Sequence, residues 1–430
     1  MGIINTYSTD YLPRNLMLTE ETIAVVKSTA PILEQHGELL TRHFYRRMFE
    51  RNPEVAPFFN RSNQTSGVQQ RALATAICVY AANIDNLEAL GGAVELIAQK
   101  HASLRIQPEH YPIVGENLLA SIREVLGEGA TDAVIHAWGA AYGFLANILV
   151  GREKEIYHQQ ESAPYGWVGF RSFRVMEKRQ ESEVITSFYL QPADGGPVPK
   201  FKPGQYITVR VPTPDGQTTM RNYSLSDKPG RPWFRISVKR EIGLTDSAPE
   251  GFVSNYLHGS VHKGGLVEIA PPCGEFFLDL TEKHPRPLVL ISAGVGITPI
   301  MSMLQAALEA MPERPIYLIH AALNGRTHAF RETLRELASK HSNFKLHTRY
   351  SAATPDDRAR GDFESEGFVD GPLIESLLPS RDADYYLCGP KPFMIGIYHQ
   401  LLEWGIPATQ VHLEFFGPRQ ELQKPAGCPV

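Results

Sequence analysis

The 430-residue sequence predicts a multidomain chain of three successive classes: an all-α domain, an antiparallel β-barrel and a doubly wound α/β domain. Three observations predict it. From residue 19 to 154 apolar residues recur at three- and four-residue spacing, with almost no strand signal. After Trp167 short alternating runs appear, such as 184–190 and 206–211, separated by turn residues. From Leu288 onward apolar strands alternate with helices, the pattern of a parallel sheet covered on both faces. The expected boundaries are an arm over 1–17, a helical domain over 18–155, a barrel over 165–280 and an α/β domain over 281–425, with a linker near 162–166.

Composition narrows the class. An apolar content of 43% with 21% charged residues is ordinary for a globular chain, and a formal net charge of -5 offers no footprint for nucleic acid. Cys78, Cys273, Cys388 and Cys428 form no C-x-x-C pair, which argues against a disulfide framework or a zinc site and suits the cytoplasm. No run of about twenty apolar residues is present, so no stable membrane insertion is expected. Asp10 interrupts any signal-peptide pattern, and Met1-Gly2 with Thr6 matches an acylation pattern whose single chain would anchor weakly.

In the helical domain Pro53, Pro57, the Asn60-Arg61-Ser62-Asn63 cluster, Gly91-Gly92 and Gly127 break the pattern into helices. Val94, Ile97, His101 and Leu104 share one face. A histidine on such a stripe is most often a core residue with a satisfied hydrogen bond. Gln69, with Leu73, Ile77 and Tyr80, and Tyr45, near Phe44, Met48 and Phe49, add two more inward polar groups. Each buried polar group left unpaired costs about 1–3 kcal/mol. A haem with a bound gas would pair all three.

The middle domain carries Arg221-Asn222-Tyr223-Ser224. Its guanidinium matches a diphosphate in bidentate fashion, and a phenol two residues on shares its strand face and stacks on a flat ring. Ser224 then reaches a ring nitrogen. Pro203-Gly204-Gln205-Tyr206 opens a preceding strand, and Gly251-Phe252-Val253-Ser254 begins a short helix whose N–H groups suit a pyrophosphate. FMN lacks that group, so FAD is the expected flavin. The polar loop 243–250 has no assigned role.

In the last domain a buried strand at 288–291 leads into Gly294-Val295-Gly296-Ile297-Thr298-Pro299. The glycines admit a pyrophosphate, Thr298 is expected to cap the next helix and Pro299 fits its first turn. A second strand-and-turn, Tyr386-Leu387-Cys388-Gly389-Pro390, would flank the nicotinamide, with Cys388 a positioning residue. Beyond the strand ending at His320, Arg326 could meet a 2′-phosphate, and no acidic residue adjoins it in sequence.

Phe44-Tyr45-Arg46-Arg47-Met48-Phe49, Asn52-Pro53-Glu54, Phe58-Phe59-Asn60, Ala98-Gln99-Lys100-His101 and Gln107-Pro108-Glu109-His110-Tyr111 resemble a bacterial-type globin. The remainder resembles the ferredoxin-reductase superfamily, so nearly the whole chain resembles the flavohaemoglobins. That resemblance implies His101 as the iron ligand of haem b, Tyr45 and Gln69 in the distal pocket, and Tyr111 and Glu153 holding the proximal imidazole. It implies Tyr206 against the flavin, Cys388 near the transferred hydride, and an aromatic of Glu414-Phe415-Phe416-Gly417-Pro418 over the flavin ring. The implied activity is a nitric oxide dioxygenase, a monomer using NO, O2 and NAD(P)H, mostly NADH. The alternatives are an oxygen carrier or sensor, an NADH-dependent hydroperoxide or quinone reductase, and a haem-free binding module.

Overall fold

The computed structural model describes residues 18–59, 67–86, 90–243, 250–281 and 286–416. The N-terminal arm, the Asn60-Arg61-Ser62-Asn63 cluster, most of the 243–250 loop, Gly417 and Pro418 lie outside these residues. The chain forms two compact units, one of residues up to Ala56, Gly67–His101 and Ile106–Ile156, the other containing Ala102–Arg105 and everything from Tyr157 onward.

The first unit is helical: α1 (Glu20–Arg51), α2 (Val68–Ala82), α3 (Gly91–Leu104), α4 (His110–Leu126) and α5 (Asp132–Ser162). Thr19 starts α1 by accepting the Thr22 N–H at 3.1 Å, with Glu20 and Glu21 in the first turn against the helix dipole. The helix stops at Arg51, before Asn52-Pro53, because a residue preceding proline is driven out of the helical region. Helix α5 runs seven residues past the expected domain boundary of 155, so one helix spans both units. It is the one described helix long and apolar enough to cross a membrane, which the sequence reading did not anticipate. Here it serves as a core helix, burying Val134, Trp138, Phe144, Leu149 and Ile156.

The second unit contains two sheets. Strands β1 (Arg171–Gln180), β2 (Ile185–Pro192), β3 (Tyr206–Pro212), β4 (Thr218–Ser224), β5 (Phe234–Lys239) and β6 (Leu266–Ile269) form an antiparallel sheet in the order β4-β3-β6-β1-β2-β5, with α6 (Phe252–Gly259) between β5 and β6. A bridge between Leu225 and Ile236 brings its two edges together, so the sheet curls into a barrel around Phe173, Phe188, Val209, Phe234 and Ile269. The Lys178 ammonium donates to the carbonyls of Leu257, His258 and Val261 at 2.7–3.3 Å, placing a cation at the C-terminal end of α6.

Then follow β7 (Leu288–Ala293), α7 (Ile297–Ala310), β8 (Ile316–Ala322), α8 (Arg331–Lys340), β9 (Phe344–Tyr350), α9 (Pro355–Arg360), β10 (Ser365–Glu366), α10 (Gly371–Leu377), β11 (Asp384–Cys388), α11 (Lys391–Glu403) and β12 (Val411–Glu414). The strands are parallel in the order β10-β9-β8-β7-β11-β12, a doubly wound sheet with helices on both faces. Strand β7 is buried at every position, as expected of a central parallel strand. Ile185, Phe276 and Leu278 of the barrel region join the apolar cluster under α7, so the two sheets share one continuous core.

A buried pair of imidazoles sits at the carboxyl end of β8. His320 and His328 lie with ring centroids 4.8 Å apart, bonded through Nδ1 to Ser292 and Tyr350 respectively. Burial pulls the pKa of His320 down to about 4, opposed weakly by Ser292, and burial also pulls His328 well down. The unfolded chain, with a pKa near 6.5, therefore binds protons that the folded state refuses between pH 6.5 and 4. Stability of this unit is expected to fall by a few kcal/mol as pH drops through that window. Calorimetric unfolding of the full chain from pH 7 to 4.5 checks this, and His320→Asn should flatten the slope.

Candidate active site

Three helices build the first centre. His101 on α3 places Nδ1 2.8 Å from Glu153 Oε1 of α5, and the Tyr111 hydroxyl of α4 donates to that same oxygen at 2.5 Å. Glu153 is 2% exposed, yet both of its neighbours donate to it. An imidazole whose Nδ1–H is held by a carboxylate carries its lone pair on Nε2, the tautomer that ligates a metal. Tyr142 of α5 donates to the Tyr111 carbonyl at 2.6 Å and so fixes the start of α4. The His101 side chain keeps 32% of its surface accessible, although α3 is otherwise an apolar helix. These donors fit a haem iron, with Nδ1 anchored and part of the ring left accessible.

The second polar group of this unit is a pair. Tyr45 on α1 is buried beside Phe44 and Phe49, its ring 5.9 Å from that of Phe49. Burial pushes its phenol pKa up, and a hydrogen bond with Gln69 on α2 partly offsets this. Tyr45 is therefore a neutral O–H donor at any physiological pH, joined to the amide that sequence spacing also turned inward.

The barrel carries the second centre on β3 and β4. Register pairs Tyr206 with Ser224, Thr208 with Asn222, and Val209 with Arg221. Arg221 and Tyr223 therefore share a strand face, and Asn222 and Ser224 point to the other. Burial lowers the Arg221 pKa, with Tyr223 acting against that shift, and burial raises the Tyr223 phenol. The guanidinium, which donates to the Met220 carbonyl at 2.6 Å, is of a type and burial that fit a diphosphate. Asn222 is fixed by Thr208, whose hydroxyl donates to its oxygen at 2.9 Å, and donates in turn to Ser103 at 3.1 Å. Ser103 also hydrogen-bonds Tyr206. It lies two positions beyond His101, and no motif in the sequence singled it out. At α6, Ser254 donates to the Gly251 carbonyl at 2.9 Å and accepts the Glu241 N–H at 3.2 Å. Its hydroxyl shapes the helix N-terminus, and the backbone N–H groups remain to meet an anion.

The third centre joins the two glycine-bearing turns. A side-chain carbon at Gly296 would lie 2.1 Å from the Cys388 carbonyl oxygen and 2.8 Å from the Gly389 nitrogen, so only glycine lets the β7 turn close onto the β11 turn. The sequence expectation for Thr298 needs correction. Gly294–Gly296 is a 3-10 turn, α7 already begins at Ile297, and the Thr298 hydroxyl donates to the Val295 carbonyl at 3.0 Å without capping the helix. Pro299 does sit in the first turn. Burial raises the Cys388 thiol, and the Glu414 carboxylate raises it further, which keeps it a neutral thiol. Pro390 precedes α11, Phe415 packs on the sheet, and Phe416 is exposed.

Known proteins match this sequence of centres. A globin model matches residues 42–149, an oxidoreductase FAD-binding domain model 172–278, and an oxidoreductase NAD-binding domain model 290–399. The flavohemoprotein of Rhodopirellula baltica is 50% identical over 94% of this chain and 99% of its own length. The chain belongs to the flavohemoprotein family. A second flavohemoprotein, from Halalkalibacterium halodurans, is 49% identical over 93% of this chain and 97% of its own. Among solved structures, the flavohemoglobin of Malassezia yamatoensis with bound FAD and heme covers 93% of this chain at 29% identity with a TM-score of 0.79. The FAD/NAD-binding domain of a nitric oxide dioxygenase from Vibrio cholerae covers 58% at 37% identity with a TM-score of 0.52. As a flavohemoprotein the chain uses haem and FAD, with a nicotinamide coenzyme as electron donor. The His101 face suits the haem iron, the β4 face suits FAD, and the Gly296–Cys388 junction suits the nicotinamide.

Proposed function

We propose that this flavohemoprotein is a nitric oxide dioxygenase of the cytoplasm, converting NO and O2 to nitrate at the expense of NAD(P)H. The balance is two NO, two O2 and one NAD(P)H giving two nitrates, NAD(P)+ and one proton. The FAD supplies conversion of a hydride into single electrons, and the haem supplies oxygen binding and activation. The observation that carries the reading is the Glu153 carboxylate on His101 Nδ1. A carboxylate-held imidazole is a stronger donor to iron, which favours oxygen chemistry over reversible carriage.

Tyr45 supports the same reading. Its neutral hydroxyl, backed by Gln69, is a donor suited to a partly negative oxygen species. A charge-assisted hydrogen bond contributes roughly 1.5–3 kcal/mol, so Tyr45→Phe is expected to speed oxygen release from the holoprotein roughly 10- to 100-fold. Stopped-flow oxygen release measures it; an unchanged rate would remove Tyr45 from the pocket. A carrier would release oxygen rapidly in the unsubstituted protein. Covalent fusion of haem and flavin domains raises the effective concentration of the electron donor, which serves turnover and not storage.

A further inference from the structure

The sequence leaves Arg326 without an acidic neighbour; the fold supplies one from the barrel. Glu183, in the turn between β1 and β2, donates its backbone N–H to the Arg326 carbonyl at 2.9 Å and sets its carboxylate 3.7 Å from the guanidinium. In dinucleotide folds the adenosine ribose lies off the carboxyl end of the strand beside the glycine strand. An acid there takes the 2′-hydroxyl, or an arginine takes a 2′-phosphate. Strand β8 is that strand, paired in parallel with β7, and Arg326 lies on the loop that leaves it.

That loop is built, not slack. The Asn324 side chain accepts the Arg326 N–H at 3.1 Å, and the Thr327 hydroxyl donates to the Asn324 carbonyl at 3.1 Å. Gly325 donates its N–H to the fully buried Asp357, where a side-chain carbon would come within 2.4 Å of the carboxylate. Both members of the ion pair nevertheless face solvent, with side chains 64% and 54% exposed. An incoming coenzyme can therefore reach either charge.

We propose that Glu183 and Arg326 together set coenzyme choice, the carboxylate accepting the ribose hydroxyls of NADH while holding Arg326 back from the 2′-phosphate of NADPH. The proposal rests on the nicotinamide-dependent reading above. A phosphate carrying nearly two negative charges meets attraction from Arg326 and repulsion from Glu183 at similar range, so the two largely cancel. Removing only the carboxylate charge leaves the backbone latch intact and frees the guanidinium for bidentate contact.

The test uses the full FAD-loaded chain, with calorimetric binding of 2′,5′-ADP against 5′-AMP and stopped-flow flavin reduction by NADH against NADPH. The unsubstituted protein is expected to favour NADH. Glu183→Gln should tighten 2′,5′-ADP and raise kcat/KM for NADPH about tenfold, while 5′-AMP binding and kcat/KM for NADH fall as the carboxylate contact to the ribose hydroxyls is lost. Arg326→Gln should cancel that gain in the double variant. A preference for NADPH at the outset, an unchanged ratio in Glu183→Gln, or an equal shift for both coenzymes would overturn the proposal. Flavin reduction by neither coenzyme, with both nucleotides failing to bind, would instead overturn the nicotinamide reading beneath it.

Discussion

His101→Ala is expected to yield a protein that keeps FAD and NADH-driven flavin reduction but retains no haem and forms no nitrate. The imidazole is anchored through Nδ1 to Glu153, and alanine offers the iron no ligand. The substitution should not unfold α3, since alanine is the better helix former. Nor does it strand a buried charge alone, because Tyr111 still donates to Glu153 at 2.5 Å. The milder Glu153→Gln should keep haem and cost roughly 10- to 100-fold in turnover, the usual effect of losing a ligand's hydrogen-bond partner. Soret absorbance, flavin content and nitrate yield separate the two outcomes. Haem retention in His101→Ala would remove His101 from the centre.

Arg221→Ala should produce the mirror image: haem present, flavin lost. The guanidinium is desolvated on the same strand face as Tyr223, and a bidentate pair of charge-assisted bonds contributes roughly 1.5–3 kcal/mol each. FAD affinity is therefore expected to fall roughly 10²- to 10⁴-fold, and NADH oxidation with it. Arg221→Lys should recover only part, because an ammonium cannot present the planar fork. Fluorescence of released flavin during dilution measures the affinity. An unchanged FAD affinity would place the diphosphate elsewhere.

The readable part of this molecule was what repeats locally. Helical spacing singled out His101, Tyr45 and Gln69, strand alternation placed Arg221 and Tyr223 on one face, and apolar strands marked the two glycine-bearing turns that meet at Gly296 and Cys388. Contacts between distant segments were not written in any local pattern. Glu153 reaches His101 from 52 positions away. Its local pattern is only a charge between Leu149 and Ile156 on a buried helical stripe, and the family resemblance is what singled it out. Ser103 meets Asn222 and Tyr206 only through the tertiary fold, as Glu183 meets Arg326. The Thr298 expectation failed because its pattern fits a helix cap, whereas the 3-10 turn at Gly294–Gly296 starts the helix two residues earlier, at Ile297. Closure of the barrel at Leu225 and Ile236 likewise depends on sheet curvature that no single strand reveals.

The most direct test of the account is nitrate formed per NADH consumed when NO is added to the aerobic protein loaded with haem and FAD. The account predicts about two nitrates per NADH, because one hydride supplies two electrons and each turnover uses one. NADH consumption that proceeds without nitrate, or at a rate indifferent to NO, would contradict it.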